Sequence, residues 1–250
     1  MLTLRAEFHV HTVLSPCAEL EMLPPLIVME ALERGIHLIA ITDHNATGNI
    51  RAVQKAAAGT GLTVLPGMEL QTREEVHVLC LFDQPEQAEK WQEVVSSCLP
   101  KMENRPGFFG DQLLVDEIGE FVARESRLLL TSTSLSIDEV CQQVEGLGGM
   151  VIPAHVNRPA NGLISMLGFV PPEIPFSALE ISRHLKPSAA VALHPQLAGY
   201  PLIQGGDAHR LEDLRGVNQL LVEAPTLAEI KLAFKKSGGR SARILSTSTL

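Results

Sequence analysis

The 250-residue chain lacks any apolar run of the roughly 18–20 residues that a membrane-spanning helix needs, so we predict no membrane association. Its four cysteines are scattered and form no Cys-x-x-Cys pair, so neither a disulfide framework nor a cysteine zinc site is indicated. Residues 1–7 do not resemble a signal peptide. Together these absences predict a cytoplasmic protein.

Aromatic and basic side chains are also scarce. Phe, Trp and Tyr make up 4% of the residues, and 29 acidic side chains outnumber 20 basic ones, for a formal net charge of −9. Proteins that bind single-stranded nucleic acid need stacking aromatics and positive charge, so the composition argues against nucleic acid as a partner. No Gly-x-Gly-x-x-Gly segment follows a strand pattern, which weakens a dinucleotide-binding reading.

The chain does have an alternation of short β-branched runs with helical segments. Leu4–Val10, Ile36–Ile41 and Leu62–Leu65 are predicted strands, and Pro85–Ser97 and Ser136–Leu147 are predicted helices. Because repeated strand–helix units form parallel sheets covered by helices, this pattern predicts an α/β fold, with a barrel favoured over an open sheet. We predict a single domain over residues 1–250.

Residues 100–133 interrupt the alternation. Leu113–Val115, an acidic turn at Asp116-Glu117, and Arg127–Leu130 have the pattern of two short strands around a turn. We therefore predict a small hairpin insertion between two units of the barrel.

Histidine is the abundant residue, with nine copies, and six of them fall at or near the end of a predicted strand. The carboxyl ends of parallel barrel strands meet at one mouth, so these side chains are expected to converge with two acids. Imidazoles and carboxylates suit Zn, Mn or Fe, and six histidines exceed the needs of one ion. The sequence predicts a site for two or three divalent ions. Its candidate ligands are His9, His11, His44, Glu69, His77, His155, Asp207 and His209.

Five short motifs in this set follow one another in a recognisable order. They are Phe8-His9-Val10-His11-Thr12, Ile41-Thr42-Asp43-His44, Gly67-Met68-Glu69, Pro153-Ala154-His155 and Gly206-Asp207-Ala208-His209. With these motifs the chain resembles the polymerase-and-histidinol-phosphatase (PHP) family of metal-dependent phosphoesterases. The resemblance implies a distorted seven-stranded β/α barrel, a trinuclear metal site and hydrolysis of phosphate esters.

The resemblance also implies how the ligands divide among three ions. His9, His11, Glu69 and Asp207 would hold the first ion. Glu69 would bridge to a second ion on His77 and His155, and His44 with His209 would hold the third.

The chain departs from the family pattern in one loop. The family continues Ser-Asp-Gly with the Asp as a ligand, whereas Ser15 is followed here by Pro16-Cys17. We predict that Glu19 replaces that Asp, with Glu21 as the alternative and the thiol of Cys17 as a less favoured one. If no acid replaces the Asp, the site would be effectively binuclear.

Two further residues are predicted to act on the substrate. Arg158, three residues past His155, is the candidate phosphate clamp, because a guanidinium matches two phosphate oxygens. His184 is the candidate for binding phosphate or protonating the leaving oxygen. A solvated loop position for Arg158 and a structural or exposed role for His184 are the alternatives. Asp43 is expected to hold His44 by a hydrogen bond.

The predicted function is hydrolysis of a small phosphomonoester, with a metal-bound hydroxide as the nucleophile. Two other functions are consistent with the motifs. One is a phosphodiesterase or exonuclease that acts on nucleic acid. The other is a metal-binding regulatory domain without catalysis, which the altered Ser15-Pro16-Cys17 loop keeps open.

Overall fold

The computed structural model describes residues 1–246, so residues 247–250 of the predicted domain lie outside the described part. The strands are β1 (Leu2–Val10), β2 (Leu38–Ile41), β3 (Thr63–Gln71), β4 (His77–Leu81), β5 (Leu113–Val115), β6 (Phe121–Arg124), β7 (Met150–Pro153), β8 (Leu179–Ser182), β9 (Leu202–Gly205), β10 (Asn218–Val222) and β11 (Ser241–Ile244). The α-helices are α1 (Pro24–Glu33), α2 (Ile50–Ala56), α3 (Pro85–Cys98), α4 (Pro106–Phe109), α5 (Ile137–Gly146), α6 (Leu163–Leu167), α7 (Pro187–Leu193) and α8 (Leu227–Phe234).

Seven strands form one mixed sheet in the order β11-β10-β1-β2-β3-β4-β7. β1, β2 and β3 run parallel, whereas β4 runs antiparallel to both β3 and β7, and β10 runs antiparallel to β1. β8 and β9 form a separate parallel pair. The α/β class predicted from the sequence is therefore confirmed.

The β8–β9 pair lies beside both β1 and the segment that follows β7. The Val156 amide donates to the Glu180 carbonyl at 2.8 Å, and the Ala208 amide donates to the His9 carbonyl at 3.0 Å. The sheet is accordingly curled, with the ends of β1, β7 and β9 close together. A closed barrel of seven strand–helix units stays a prediction.

β2 shows why the sheet is covered on both sides. Leu38 and Ala40 belong to one buried apolar cluster, and Ile39 and Ile41 belong to another. Successive side chains of a strand point to opposite faces, so a continuous apolar run buries both faces of the sheet. Among residues 1–246, no helix combines the length and the apolar character that crossing a bilayer demands.

β3 extends beyond its predicted end at Leu65. It pairs with β2 up to Pro66 and then with β4 from Gly67 to Gln71. Gly67 permits this change of partner, because a Cβ there would lie 2.9 Å from the Ile41 carbonyl oxygen. Glu69 consequently lies within a buried strand and not in the loop after one.

The insertion contains a hairpin, but its second strand was placed wrongly. β5 pairs with β6 (Phe121–Arg124) and not with Arg127–Leu130. The Asp116 carboxylate accepts hydrogen bonds from the backbone amides of Ile118 and Glu120. This Asx turn reverses the chain directly after β5. Leu128 and Leu129 are buried instead, within the predicted second strand.

Candidate metal centre

The strand ends bring the eight predicted histidine and carboxylate ligands into one cluster. His9 is the penultimate residue of β1, His11 lies just beyond the end of that strand, and Glu69 lies on β3. His9, His11, His44, Glu69 and His155 are buried, whereas the side chains of His77, Asp207 and His209 keep 12%, 22% and 23% of their surface exposed. The cluster therefore has a closed interior and one side open to solvent.

Glu69 lies at the centre, and its Oε2 faces three imidazoles. This oxygen is 3.3 Å from Nε2 of both His9 and His11, and 3.0 Å from Nδ1 of His44. Oδ1 of Asp207 is also 3.3 Å from the same two Nε2 atoms. Four of these side chains, those of His9, His11, Glu69 and Asp207, place their donor atoms within 4.8 Å of one another, as a cation site requires.

The other oxygen of Glu69 faces a different pair. Oε1 is 2.8 Å from Nδ1 of His77 and 3.1 Å from Nε2 of His155. The two oxygens of Glu69 thus face two different sets of imidazoles. A carboxylate that bridges two metal ions requires this arrangement.

Three groups of donor atoms each lie within 4.8 Å of one another. They are His9, His11, Glu69 and Asp207; His44, Glu69 and His77; and His11, His44 and His209. The first group has the composition that the family resemblance implies for the first ion. The second pairs His77 with His44, where the resemblance implies His155.

Several donor atoms in the cluster have no hydrogen-bond partner among the described residues. Nε2 of His9, Nε2 of His11 and Oε2 of Glu69 are buried and unpaired. Unpaired buried polar atoms are rare in folded proteins because each costs free energy. Three that face one space fit a divalent cation, which would satisfy all of them.

Hydrogen bonds on the far side of each ring select the tautomer that a metal needs. His9 Nδ1 lies 3.0 Å from Oε1 of Glu180, a carboxylate that can only accept, so Nε2 of His9 keeps its lone pair. His11 Nδ1 lies 2.9 Å from Oγ of Ser15, which itself donates to Asp43. In the neutral ring that a metal needs, Nε2 of His11 therefore also offers its lone pair toward Glu69.

Asp43 acts elsewhere than predicted. Its carboxylate accepts the Thr12 amide at 2.7 Å and the hydroxyls of Thr12 and Ser15, each at 2.7 Å, and no hydrogen bond joins it to the His44 ring. The expected Asp43–His44 contact is corrected accordingly. Asp43 orders the loop after β1, and Ser15 carries its effect to His11.

The acids proposed as substitute ligands do not reach the cluster. Oε1 of Glu19 is 2.7 Å from Nε of Arg210, and half of its side chain is exposed. Glu21 is exposed and belongs to none of the three donor groups. Cys17 lies nearer, with Sγ 3.0 Å from Nε2 of His209, although it too is outside the three donor groups.

Arg158 and His184 both line a cavity of about 490 Å³ that opens beside the cluster. Nη1 of Arg158 is 2.5 Å from Oδ2 of Asp207 at the edge of the metal cluster. His184 is exposed and lies outside the three donor groups. Arg183 and Arg210, which the sequence did not single out, line the same cavity.

Charge shifts the pKa of the buried groups in the metal-free protein. Burial raises the pKa of Glu69, but the charges of His77 and His9 outweigh burial and hold it well below its usual range. Burial lowers the pKa of His11, yet the adjacent carboxylates of Asp207 and Glu69 raise it to about 9.

His44 and His209 are shifted in opposite directions. Burial lowers the pKa of His44, but the Glu69 charge leads the opposing effects, which raise it to about 9. Burial and the positive charge of His11 lower the pKa of His209 to about 3. His209 is therefore neutral, ready to offer a lone pair.

Two residues of the site have strained backbones. His155 has a φ of 30° and Asp207 a φ of 48°, which is the left-handed region that side chains with a Cβ seldom adopt. The His155 amide donates to Oε1 of Glu180 at 3.0 Å, which helps to hold its conformation. Strained backbone conformations of this kind are common at functional sites, where contacts with the surrounding structure stabilise them.

Sequence reasoning missed Glu180, which supports both His9 and the His155 amide. A signal was present, because Leu179-Glu180-Ile181 places a fully buried carboxylate between two apolar residues of a strand. Gly205 leaves room for the Glu180 side chain, because a Cβ at position 205 would overlap the Glu180 carboxylate.

Replacing Glu180 with glutamine is expected to weaken metal binding about 10–100-fold, because the amide favours the wrong tautomer of His9. Chelator competition measures the affinity of the Glu180→Gln variant, and Glu173→Gln, at an exposed loop position, is the control. Unchanged affinity in Glu180→Gln would remove Glu180 from the supporting shell.

The strand ends of this α/β fold gather six histidines and two carboxylates, which is the donor set of a metal-dependent enzyme. A profile of the PHP domain matches residues 7–151, which is more than half of the chain. The chain therefore belongs to the PHP domain family. No curated protein matches the sequence.

Solved structures share the fold. The lesion-specific endonuclease Q of Pyrococcus furiosus aligns with a TM-score of 0.71 and 18% identity, over 96% of this chain and 58% of the other. A second endonuclease Q structure, in complex with a 27-mer duplex carrying an abasic lesion at the active site, aligns with a TM-score of 0.70 at 18% identity, with the same coverage of both chains.

A Bifidobacterium adolescentis protein, provisionally named a metal-dependent phosphoesterase, aligns with a TM-score of 0.53 and 22% identity, over 82% of this chain and 87% of its own. The chain thus spans less than two thirds of endonuclease Q but most of the length of this protein.

Proposed function

We propose that the chain hydrolyses phosphate esters of small metabolites at two or three divalent ions, which are Zn, Mn or Fe, in the cytoplasm. The observation that carries the proposal is the cavity of about 490 Å³, which joins the open side of the metal cluster to three arginines, Arg158, Arg183 and Arg210. A cavity of this size suits a small molecule, and guanidinium groups are preferred partners of phosphate oxygens.

Bound divalent ions supply Lewis acidity and lower the pKa of water in this kind of centre. Glu69 and the histidines around it would hold these ions. Glu180 and Ser15 fix the ring tautomers of His9 and His11, and Asp207 faces both the ligand cluster and Arg158. Arg158 can move between Asp207 and a phosphate oxygen of the substrate. His184, which lines the same cavity, can hold or donate a proton at the leaving oxygen.

A second function, cleavage of phosphodiesters in nucleic acid, is supported by a neighbouring cavity of about 650 Å³. It shares Arg183 and His184 with the first cavity and is also lined by Lys186 and Arg215. A basic path beyond the site would suit a longer polyanion. The fold shared with endonuclease Q is consistent with this function, and the net charge of −9 argues against it.

The two functions are separated by substrate. The protein is stripped with a chelator, reloaded with Mn²⁺ or Zn²⁺, and offered p-nitrophenyl phosphate, nucleoside monophosphates, bis-p-nitrophenyl phosphate and oligonucleotides with and without an abasic site. We expect turnover of monoesters above all. Turnover of oligonucleotides alone, weakened by Lys186→Ala with Arg215→Ala, would favour the second function. Metal binding without turnover of any ester would favour a regulatory domain.

Replacing Arg158 with alanine is expected to raise KM for a phosphomonoester about 10–100-fold, because a hydrogen bond between charged groups is lost. Steady-state kinetics with metal content measured in parallel provide the test. Arg73→Ala removes an exposed arginine outside the cavity and is the control. If KM is unchanged in Arg158→Ala, Arg158 does not bind the substrate phosphate and is a solvent-exposed loop residue.

A further inference from the structure

We propose that Cys17 binds the third ion as a thiolate, together with His44 and His209, and makes that position selective for zinc. The inference rests on the metal centre of the proposed function and is independent of its substrate. It gives the altered Ser15-Pro16-Cys17 loop a chemical role in place of a lost ligand.

The geometry around Cys17 has the composition of a metal site. Sγ is 3.0 Å from Nε2 of His209, and the ring centroids of His44 and His209 lie 5.9 Å apart. Nδ1 of His209 is 2.9 Å from the Asp207 carbonyl oxygen, which can only accept, so Nε2 of His209 carries the lone pair toward Cys17. His44 and His209 belong to one donor group with His11.

A fully buried histidine borders the same group. The ring of His11 stacks on that of His209 with their centroids 4.0 Å apart. Nε2 of His11 faces Glu69 and Asp207, where it is a candidate ligand of the first ion. The third ion would therefore be held by His44, His209 and Cys17.

The loop is built to hold Cys17 over the cluster. Ser15 is anchored by its hydroxyl to Asp43, and the Ala18 amide donates to the Ser15 carbonyl at 2.9 Å. This turn puts Pro16 and Cys17 at its centre, where proline pre-sets the backbone angle. The Glu19 amide donates to the His209 carbonyl at 2.9 Å, which ties the loop to the segment that carries His209.

The chemistry of the donor set predicts which ion binds. Glu19 is engaged by Arg210, so no carboxylate of this loop competes with the thiol. A thiolate beside imidazoles favours zinc over manganese, which prefers oxygen ligands. Zinc coordination would also deprotonate the Cys17 thiol, and the released proton passes to solvent.

Cobalt substitution tests the assignment without any activity measurement. We expect the Co²⁺-loaded protein to show a thiolate-to-cobalt charge-transfer band in the near ultraviolet, and X-ray absorption of the zinc form to show a sulfur neighbour at about 2.3 Å. Both signals should vanish in Cys17→Ser and in Cys17→Asp. Cys98→Ser, at the end of α3 and outside the donor groups, should keep both.

Metal affinities sharpen the comparison. Cys17→Ser should weaken the third zinc ion at least about tenfold, by analogy with the loss of supporting contacts. Cys17→Asp should restore an ion there while shifting its preference from zinc toward manganese. A zinc affinity in Cys17→Ser equal to that of the unaltered protein, or no charge-transfer band in the unaltered protein, would overturn the assignment.

Alkylation of the unaltered protein keeps the test independent of how the variants fold. Iodoacetamide should modify the exposed Cys17 readily in the metal-free protein, and saturating zinc should slow that reaction at least about tenfold because coordination occupies the sulfur. Equal rates with and without zinc would also contradict the inference. If the protein hydrolyses phosphate esters but zinc does not protect Cys17 from alkylation, only the inference about Cys17 fails. If zinc protects Cys17 but no ester is hydrolysed, only the proposed function fails.

Discussion

The Glu69→Gln variant is expected to lose hydrolysis by about three orders of magnitude or more and to bind fewer ions than the unaltered protein. Removal of a single preorganised electrostatic contact already costs about 10²–10³ in rate, and Glu69 contributes to several contacts at once. Its two oxygens face the imidazoles of five histidines, which are His9, His11, His44, His77 and His155.

The amide changes the site in two ways. It cannot supply the negative charge that balances two adjacent cations, and its NH₂ group presents donors where an ion needs lone pairs. Because Glu69 is almost completely buried, water cannot take over either role. The shape of the pocket is preserved, so the effect should lie in metal binding and not in the fold.

Metal content and thermal stability test this separation. An ion at a concentration of about 100 times its Kd stabilises the folded state by about 2.7 kcal/mol, and the metal-dependent rise in Tm should shrink strongly in Glu69→Gln. The control is Glu93→Gln, on the exposed side of α3. A full complement of ions together with a normal metal-dependent rise in Tm in Glu69→Gln would refute a bridging role for this carboxylate.

Residues on regular strands were the ones that sequence reasoning located well. His9 and His11 are two positions apart, so the alternation of a strand puts both rings on one face, and both Nε2 atoms do lie 3.3 Å from the same oxygen of Glu69. His155, Asp207 and His209 follow from the convergence of strand ends. Periodicity and topology suffice where a side chain leaves from a defined strand.

Loops were predicted less well, because their geometry depends on contacts that are remote in sequence. Glu19 has the chemistry of a ligand, but the position of its carboxylate is decided by Arg210, nearly two hundred residues away. Cys17 reaches the site because Ser15 is tied to Asp43 and because the next turn is pinned to the His209 carbonyl. A single sequence does not reveal such partners. The same reasoning applies to the insertion, where the Asp116 turn selects β6.

Metal affinity is expected to rise steeply with pH between about 6.5 and 9. In the metal-free protein the pKa values of His11 and His44 are raised from 6.5 to about 9, because the carboxylates of Glu69 and Asp207 outweigh burial. Both imidazoles are therefore protonated on both nitrogens and positively charged at neutral pH. An ion must displace one proton from each ring before it can bind there.

The same shifts determine the stability of the metal-free protein. A pKa that is higher in the folded than in the unfolded state stabilises the fold fully below pH 6.5, and this contribution is lost as the pH rises to about 9. The metal-loaded protein does not have this loss, since its imidazoles are already neutral. The gap in Tm between the loaded and the metal-free protein should consequently widen from pH 6.5 to pH 9.

His209 provides the internal contrast, because burial and the charge of His11 lower its pKa to about 3. It is already neutral at pH 7 and has no proton to release. Calorimetry of zinc binding at pH 7.5, in buffers of different ionisation enthalpy, should therefore report two or more released protons for the unaltered protein. NMR titration of the metal-free protein should show His11 and His44 losing theirs near pH 9, while His209 remains neutral throughout that range.

The His37→Asn variant, altered outside the three donor groups, should release as many protons as the unaltered protein. In metal-free Glu69→Gln, the pKa values of His11 and His44 should fall, because the Glu69 charge no longer raises them while burial still lowers them and Asp207 still acts on His11. Zinc should then displace fewer protons from that variant, even though it binds less tightly. A metal affinity that is flat between pH 6.5 and 9, with less than one proton released, would show that the carboxylates do not hold these imidazoles in their charged form.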